Sequence, residues 1–141
     1  MRGSCLCGAV QIGLADHEPG VSACHCDTCR RWSGAATFGV TAPAEAVTVR
    51  GAVTAYRSSS FAERAFCPVC GTHLWIRDDG GPYDLSPGVF DEARDMPLER
   101  EVYCDRAAAH VPLAGGHARV TREAYERDNP YVKMENRHDQ V

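Results

Sequence analysis

Eight cysteines in 141 residues constrain this chain more than any other feature, because seven of them fall into three compact groups. The groups are Cys5-Leu6-Cys7, Cys24-His25-Cys26-Asp27-Thr28-Cys29 and Cys67-Pro68-Val69-Cys70, and Cys104 stands alone. Thiolates two or three residues apart can face the same ion, and zinc prefers four such ligands in a tetrahedron. This spacing predicts a zinc protein with two ions per chain.

The role of the cysteines depends on the compartment. The segment 1–5 is not followed by an apolar run, and no stretch approaches the roughly 20 apolar residues that span a bilayer. We therefore expect a cytoplasmic protein that is not inserted in a membrane. Because the cytoplasm is reducing, its cysteines are poor disulfide candidates and are better explained as metal ligands or catalytic groups.

Length and charge narrow the possible functions. With 141 residues, 44% of them hydrophobic, the chain has the size and composition of one domain with its own core. Residues 1–141 are therefore predicted to form a single zinc-binding domain. The formal net charge of −4 provides no general attraction for phosphate backbones or anionic lipids, so nucleic acid is not an expected partner.

Short segments of alternating apolar and polar residues, separated by Gly, Pro, Asp or Ser, predict a mostly β protein with antiparallel sheets. The predicted strands are Gly8–Leu14, Ala35–Val40, Ala46–Arg50, Val53–Arg57 and Thr72–Arg77. Two short helices are predicted at Asp27–Trp32 and at Thr121–Asp128, where Thr121 is an N-cap residue. The polar C-terminal segment 134–141 is expected to be frayed.

The number of ligands that zinc requires suggests how the three cysteine groups are shared between two zinc sites. Pairing the first group with the third gives four thiolates, Cys5, Cys7, Cys67 and Cys70, which would close a structural zinc site. The middle group, Cys24, Cys26 and Cys29, then supplies three ligands and leaves one coordination position open. Three protein ligands and one exchangeable position are the usual arrangement of a catalytic zinc.

Two alternatives remain open at this point. A side chain such as His25, His73 or Cys104 could complete the second site and close it. The groups could also be exchanged, with Cys24 and Cys26 joining Cys67 and Cys70, which would move the open position elsewhere. Either alternative still predicts a zinc protein.

The residues around the cysteines resemble one known family. Gly3-Ser4-Cys5-Leu6-Cys7-Gly8-Ala9-Val10, Cys24-His25-Cys26-Asp27-Thr28-Cys29-Arg30-Arg31-Trp32-Ser33-Gly34 and Phe66-Cys67-Pro68-Val69-Cys70-Gly71-Thr72 are similar to motifs of the glutathione-dependent formaldehyde-activating, or centromere-protein-V-like, family. The resemblance spans residues 3–75. It implies a β-tent-like fold of stacked antiparallel sheets, a structural zinc on the first and third groups, and a catalytic zinc on the second.

The activity implied by this resemblance is the condensation of formaldehyde with the thiol of glutathione, a carbon–sulfur lyase reaction that can run in either direction. The expected partners are glutathione or a related thiol and a small aldehyde, and a homodimer is one possible assembly. Past residue 80 the resemblance thins. At His110 many relatives have a Trp, so a segment expected to line the pocket departs from the family pattern.

Three residues after the second group are candidates for binding substrate. Arg30 and Arg31 can clamp a carboxylate of glutathione, although exposed charge is the simpler interpretation. Ser33 can donate a hydrogen bond to a zinc-bound ligand, although a serine before a glycine is often a turn residue. His73 is expected to be half-buried and hydrogen-bonded, and Cys104 to be a small buried apolar residue.

A function without chemistry competes with the enzyme hypothesis. The same cysteines would also suit a zinc-stabilised binding module in which both ions are fully coordinated by protein. The two hypotheses differ in whether Cys24, Cys26 and Cys29 leave a coordination position for substrate.

Overall fold

The structure is a computed structural model that describes residues 1–135, with side chains described as far as Val132. Within these residues the chain has eleven strands and two α-helices, which confirms the mostly β prediction. The strands are β1 (Arg2–Ser4), β2 (Gln11–Leu14), β3 (Val21–Cys24), β4 (Thr37–Ala42), β5 (Val47–Arg50), β6 (Thr54–Arg57), β7 (Ala62–Phe66), β8 (His73–Asp78), β9 (Tyr83–Leu85), β10 (Leu98–Val102) and β11 (Ala118–Val120). The helices are α1 (Asp27–Ser33) and α2 (Arg122–Asp128).

The chain divides into two compact units, each made of two segments. The first unit comprises Met1–Ser22 and Phe38–Pro97, and the second comprises Ala23–Thr37 and Leu98–Val141, of which the structure describes residues up to 135. The first and third cysteine groups belong to the first unit, and the middle group belongs to the second. The single domain expected over 1–141 stays a prediction.

The first unit contains two antiparallel arrangements of strands. One has the order β1-β2-β5, with Gly3 opposite Ile12 and Ile12 opposite Val49. The other has the order β4-β9-β8-β7-β6. Apolar residues that alternate along these strands form the core, and the buried ones include Ile12, Val40, Leu74, Leu85 and Phe90. Both cysteine groups of this unit lie at the edge of that core.

The second unit has a more polar interior. Strand β10 pairs with β11 in parallel, Arg100 lying opposite Ala118, so the antiparallel expectation fails at this pair. A parallel pair requires a longer crossover than a hairpin, and residues 103–117 provide it. The buried side chains of this unit include His25, Thr37, Glu101 and Glu126.

The predicted elements all exist, with shifted boundaries. Each of the five predicted strands overlaps one of β2, β4, β5, β6 and β8. The largest error is at Gly8, which has a φ of +76° and belongs to the turn after Cys7 rather than to β2. The N-cap prediction for α2 is confirmed, because Thr121 Oγ1 accepts a hydrogen bond from Ala124 N at 3.3 Å.

Two expectations concern the termini and the membrane. No helix within residues 1–135 is long and apolar enough to cross a bilayer. The frayed segment expected at 134–141 falls, apart from its first two residues, outside the described part of the chain.

Candidate metal centres

The first unit brings four thiols together. The sulfur atoms of Cys5, Cys7, Cys67 and Cys70 all lie within 4.8 Å of one another. Cys7 Sγ is 3.6 Å from Cys5 Sγ and 3.8 Å from Cys67 Sγ. Because Cys67 and Cys70 are the partners of Cys5 and Cys7, the exchanged pairing is not found.

Two similar turns hold these thiols. In the first, Gly8 N donates to Cys5 O at 2.9 Å, and in the second, Gly71 N donates to Cys67 O at the same distance. Gly8 and Gly71 have φ angles of +76° and +74°, the left-handed region that glycine adopts without steric cost. Each turn therefore directs two sulfurs, two or three residues apart, to the same side.

The geometry of the four sulfurs fits a metal ion. A tetrahedron with metal–sulfur bonds of about 2.3 Å has sulfur–sulfur edges of about 3.8 Å. The measured separations of 3.6 and 3.8 Å match that edge. The cluster is therefore compatible with a tetrahedral zinc ion.

The electrostatics of the cluster point the same way. The Thr72 hydroxyl, 3.1 Å from Cys70 Sγ, and the Thr72 backbone N–H lower the pKa of Cys70 to about 5. A backbone hydrogen bond from Ala9 lowers the pKa of Cys7, but desolvation and the neighbouring thiols outweigh it and raise that pKa to about 11. Neighbouring thiols cannot all lose their protons unless a cation compensates their charge.

The second unit brings the middle group together. The sulfurs of Cys24, Cys26 and Cys29 lie within 4.8 Å of one another. The thiols of Cys26 and Cys29, together with burial, raise the pKa of Cys24 well above its usual value. As in the first cluster, thiolates this close together would repel one another, and a divalent cation would offset that repulsion.

Helix α1 sets the spacing of this group. Cys26 is its N-cap residue, and the Cys26 thiol accepts a hydrogen bond from Cys29 N at 3.4 Å. Cys29 lies one turn inside the helix and is buried. The helix ends at Gly34, which has a φ of +88° and donates its N–H to Arg30 O.

The middle group offers three candidate ligands, and no further Cys, His, Asp or Glu joins it among residues 1–132, whose side chains the structure describes. His25 lies between two of the thiols in sequence, but its ring Nε2 is 2.6 Å from Glu101 Oε1. The His25 ring therefore contacts Glu101 and is not grouped with the three thiols. Cys104, expected to be buried, is half-buried at the start of a 3₁₀ turn at Cys104–Arg106.

The candidate substrate residues lie on or after α1. Ser33 Oγ donates to Cys29 O at 2.8 Å and lies 3.2 Å from Thr37 Oγ1. Arg30 Nη2 is 3.5 Å from Asp27 Oδ1, and both Arg30 and Arg31 are exposed. Whether Arg30, Arg31 and Ser33 bind substrate stays a prediction.

Comparison with known proteins decides the family. A family model described as glutathione-dependent formaldehyde-activating enzyme matches residues 1–106, about three quarters of the chain. The chain belongs to the glutathione-dependent formaldehyde-activating enzyme family. The matched region contains all seven grouped cysteines and ends before His110.

Two relatives and one solved structure are similar to this chain. An uncharacterised lyase of Schizosaccharomyces pombe is 35% identical over 107 residues, which cover 74% of this chain and 78% of that protein. A Halomonas elongata protein that provisionally carries the family's name is 31% identical, covering 94% of this chain and 87% of its own. A crystal structure of a Rhodobacter sphaeroides protein has a TM-score of 0.54 at 26% identity, covering 70% of this chain and 99% of its own.

Several polar residues lie near the middle cysteine group without having been predicted from the sequence. Glu101 contacts both His25 and His117, and Arg106 Nη2 lies 3.7 Å from Asp27 Oδ1. Tyr103 is the one described non-glycine residue with a positive φ, +56°, and its hydroxyl donates to Glu126 Oε1 at 3.5 Å. No local pattern marks these residues, because their partners are distant in sequence.

Proposed function

We propose that this chain is a zinc-dependent enzyme of carbon–sulfur lyase type that adds a small aldehyde, such as formaldehyde, to the thiol of glutathione or a related compound. The observation that carries the proposal is the middle cysteine group, in which three thiols lie within 4.8 Å of one another and no fourth Cys, His, Asp or Glu joins them among the described side chains, residues 1–132. Family membership supplies the reaction class.

The two thiol clusters have different proposed roles. Cys5, Cys7, Cys67 and Cys70 would hold a structural zinc, since four thiolates leave no position for substrate. Cys24, Cys26 and Cys29 would hold the second ion, for which all-thiolate coordination favours zinc. Bound there, zinc supplies a Lewis-acid centre that lowers the pKa of a coordinated thiol or polarises a carbonyl oxygen.

The reaction balances without an oxidant or reductant. The thiol sulfur forms a bond to the carbonyl carbon, the carbon–oxygen π bond breaks, and the proton lost from sulfur is gained by oxygen. The reverse reaction breaks the same carbon–sulfur bond. The protein must therefore hold the thiol and the aldehyde in contact, which raises their effective concentration.

Arginines beside the middle group are the proposed contacts for an acidic thiol. Asp27, the first residue of α1, lies within 4 Å of the guanidinium groups of Arg30 and Arg106. These guanidinium groups are about half exposed and can pair with the carboxylates of glutathione, as can Arg31. Ser33 is the proposed hydroxyl donor near the end of the same helix.

The test measures formation of the hydroxymethyl thioether by exchange NMR with zinc-loaded protein, formaldehyde and glutathione. The Cys26→Ser variant is expected to lose at least about 100-fold in rate, because it removes a ligand of the second ion. The matched control is Cys104→Ser, a thiol outside both clusters, which is expected to retain the rate. Arg31→Gln is expected to raise the KM for glutathione with little change in kcat.

One outcome contradicts the proposal. If protein loaded with two zinc ions accelerates none of the reactions of a panel of low-molecular-weight thiols and aldehydes, the chain is not this enzyme. Full protein coordination of both ions, measured by X-ray absorption, would then favour the zinc-stabilised binding module. The cytoplasmic location and the homodimer stay predictions in either case.

A further inference from the structure

A buried carboxylate lies between two imidazoles in the second unit. Glu101 Oε1 is 2.6 Å from His25 Nε2, and Glu101 Oε2 is 2.7 Å from His117 Nε2. The side chains of Glu101, His25 and His117 are 5%, 2% and 1% exposed. A polar group placed this deep is costly unless its partners compensate for lost water.

The contacts compensate for that cost. Burial raises the pKa of Glu101, but the contacts with His117 and His25 outweigh it and hold the pKa below its usual value. The His117 contact is a hydrogen bond, whereas the His25 N–H is not aligned with the oxygen, so that contact is a short polar one. Arg119 Nε adds a cation 3.5 Å from Oε2.

The contacts of Glu101 with His25 and His117 hold the segment Cys24-His25-Cys26, the loop that carries two of the three thiols. His25 is the residue between Cys24 and Cys26, and its backbone N–H donates to Val102 O at 3.1 Å. Its ring contacts Glu101, the preceding residue of β10. Strand β10 therefore contacts the centre of the loop twice, once through the backbone and once through the ring.

Apolar packing offers little alternative support for this loop. Among the largest fully buried side chains of the described residues, His25 is the one that belongs to the second unit. The described part of that unit buries five apolar residues, of which all but Tyr103 are small: Ala23, Cys29, Ala36, Val102 and Tyr103. Buried polar contacts are therefore a substantial part of what holds the loop in place.

We propose that Glu101, held by His117, is a positioning residue for the second metal site, because it holds His25 and thereby sets where the Cys24 and Cys26 thiols lie. The inference rests on the proposed function only in requiring that these thiols bind a metal ion. Neither Glu101 nor His117 is a ligand. Replacing a residue that orients the metal ligands without binding the metal itself commonly lowers metal affinity by about 10- to 100-fold.

The test measures zinc transfer from the full-length, zinc-loaded protein to a chromophoric chelator. Wild type is expected to show two phases, and the phase lost in Cys26→Ser belongs to the second site. Glu101→Gln keeps the shape but removes the charge, and is expected to accelerate that phase by about 10- to 100-fold while leaving the other unchanged. The matched control is Glu99→Gln, an exposed carboxylate on the same strand, which is expected to change neither phase.

A second readout separates positioning from general stability. With cobalt(II) in place of zinc, Glu101→Gln is expected to shift the absorption of the second site, while Glu99→Gln leaves the spectrum unchanged. His117→Phe, which keeps a ring but removes the nitrogen that contacts the carboxylate, is expected to accelerate the same phase by a smaller factor. This variant carries the test if Glu101→Gln does not fold.

The outcomes are distinct. Wild-type release rates and spectra in folded Glu101→Gln and His117→Phe overturn the proposal, and so does equal acceleration of both phases. If wild type holds two zinc ions and is active while the variants behave normally, only the positioning role fails. If wild type holds no metal at Cys24, Cys26 and Cys29, the proposed function fails first.

Discussion

Gly3 shows how little space the fold leaves beside the first thiol group. It lies in β1, two residues before Cys5, and forms a bridge to Phe90. A Cβ atom at this position would lie 2.2 Å from Val89 O and 2.6 Å from Phe90 Cδ1. Backbone oxygen cannot move aside as a flexible side chain can, so the position requires glycine.

Gly3→Ala is expected to destabilise the protein by about 1–3 kcal/mol, because the strand must shift to relieve the clash. The measurement is the free energy of unfolding in urea, with metal content held constant. Gly88→Ala is the control, since a Cβ there meets nothing within 4 Å. Equal stability of the two variants would show that β1 tolerates the displacement.

At the scale of residues, a role could be predicted from sequence only where residues close by in the chain indicate it. His73 is half-buried, with Nε2 3.0 Å from Trp75 O and Nδ1 3.1 Å from Ser86 Oγ, which confirms the expectation of a hydrogen-bonded histidine. Glu101 is an ordinary strand residue in sequence. Its role could not be predicted, because His117 is 16 residues away and His25 lies on a different segment.

At the scale of elements, an ion pair connects the ends of two strands that flank a third. Arg57, the last residue of β6, donates from Nη1 to Asp79 Oδ1 at 2.6 Å and from Nη2 to Asp79 Oδ2. Asp79 directly follows β8, and β7 pairs with both strands. The Arg57 hydrogen bond holds the pKa of Asp79 below its usual value.

This pair makes stability depend on pH in a known direction. Since the pKa of Asp79 is lower in the folded state, its contribution is fully present above about pH 4 and is lost as pH falls through the lower, folded value. Asp79→Asn is therefore expected to remove part of the loss of stability on acidification. The measurement is urea unfolding at a series of pH values, with Asp95→Asn as a control at an exposed carboxylate. Parallel curves for wild type and Asp79→Asn would contradict the expectation.

Sequence alternation predicted β2, β4, β5, β6 and β8 but not the other six strands of the described residues, among them β3, β7 and β10 with four or five residues each. Strands β4, β6 and β8 have four to six residues and were located within two residues at each end. Strands β1, β9 and β11 have three residues each, which is too short for a period of two to stand out. Their strand conformation depends on the neighbour with which each one pairs.

At the scale of the whole molecule, the four-thiol cluster joins parts of the chain that are distant in sequence. Cys5 and Cys67, both buried, bring the beginning of the first unit to the turn between β7 and β8. Closing such a loop has an entropic cost that metal binding offsets, because the unfolded chain has no preformed site. The first metal is therefore expected to contribute directly to folding.

Metal analysis is expected to find two zinc ions per chain in wild type and one in the Cys24→Ser/Cys26→Ser/Cys29→Ser variant. Removing the first site by Cys5→Ser/Cys67→Ser is expected to lower the Tm by about 10 °C or more, since structural zinc contributes several kcal/mol to folding. The triple variant is expected to lose less. A Tm unaffected by loss of the first metal would contradict the structural role.

The sequence by itself determined the candidate ligands, the short helix that spaces the middle group, and the mostly β character, because these depend on residues close together along the chain. Only the tertiary structure decided that the first and third groups meet, that β10 and β11 run parallel, and that Glu101 lies between His25 and His117. The physical reason is the distance along the chain over which each kind of interaction acts. Turns and periodicity act over a few residues, whereas buried charge and shared ligands join segments whose proximity exists only after the chain has folded.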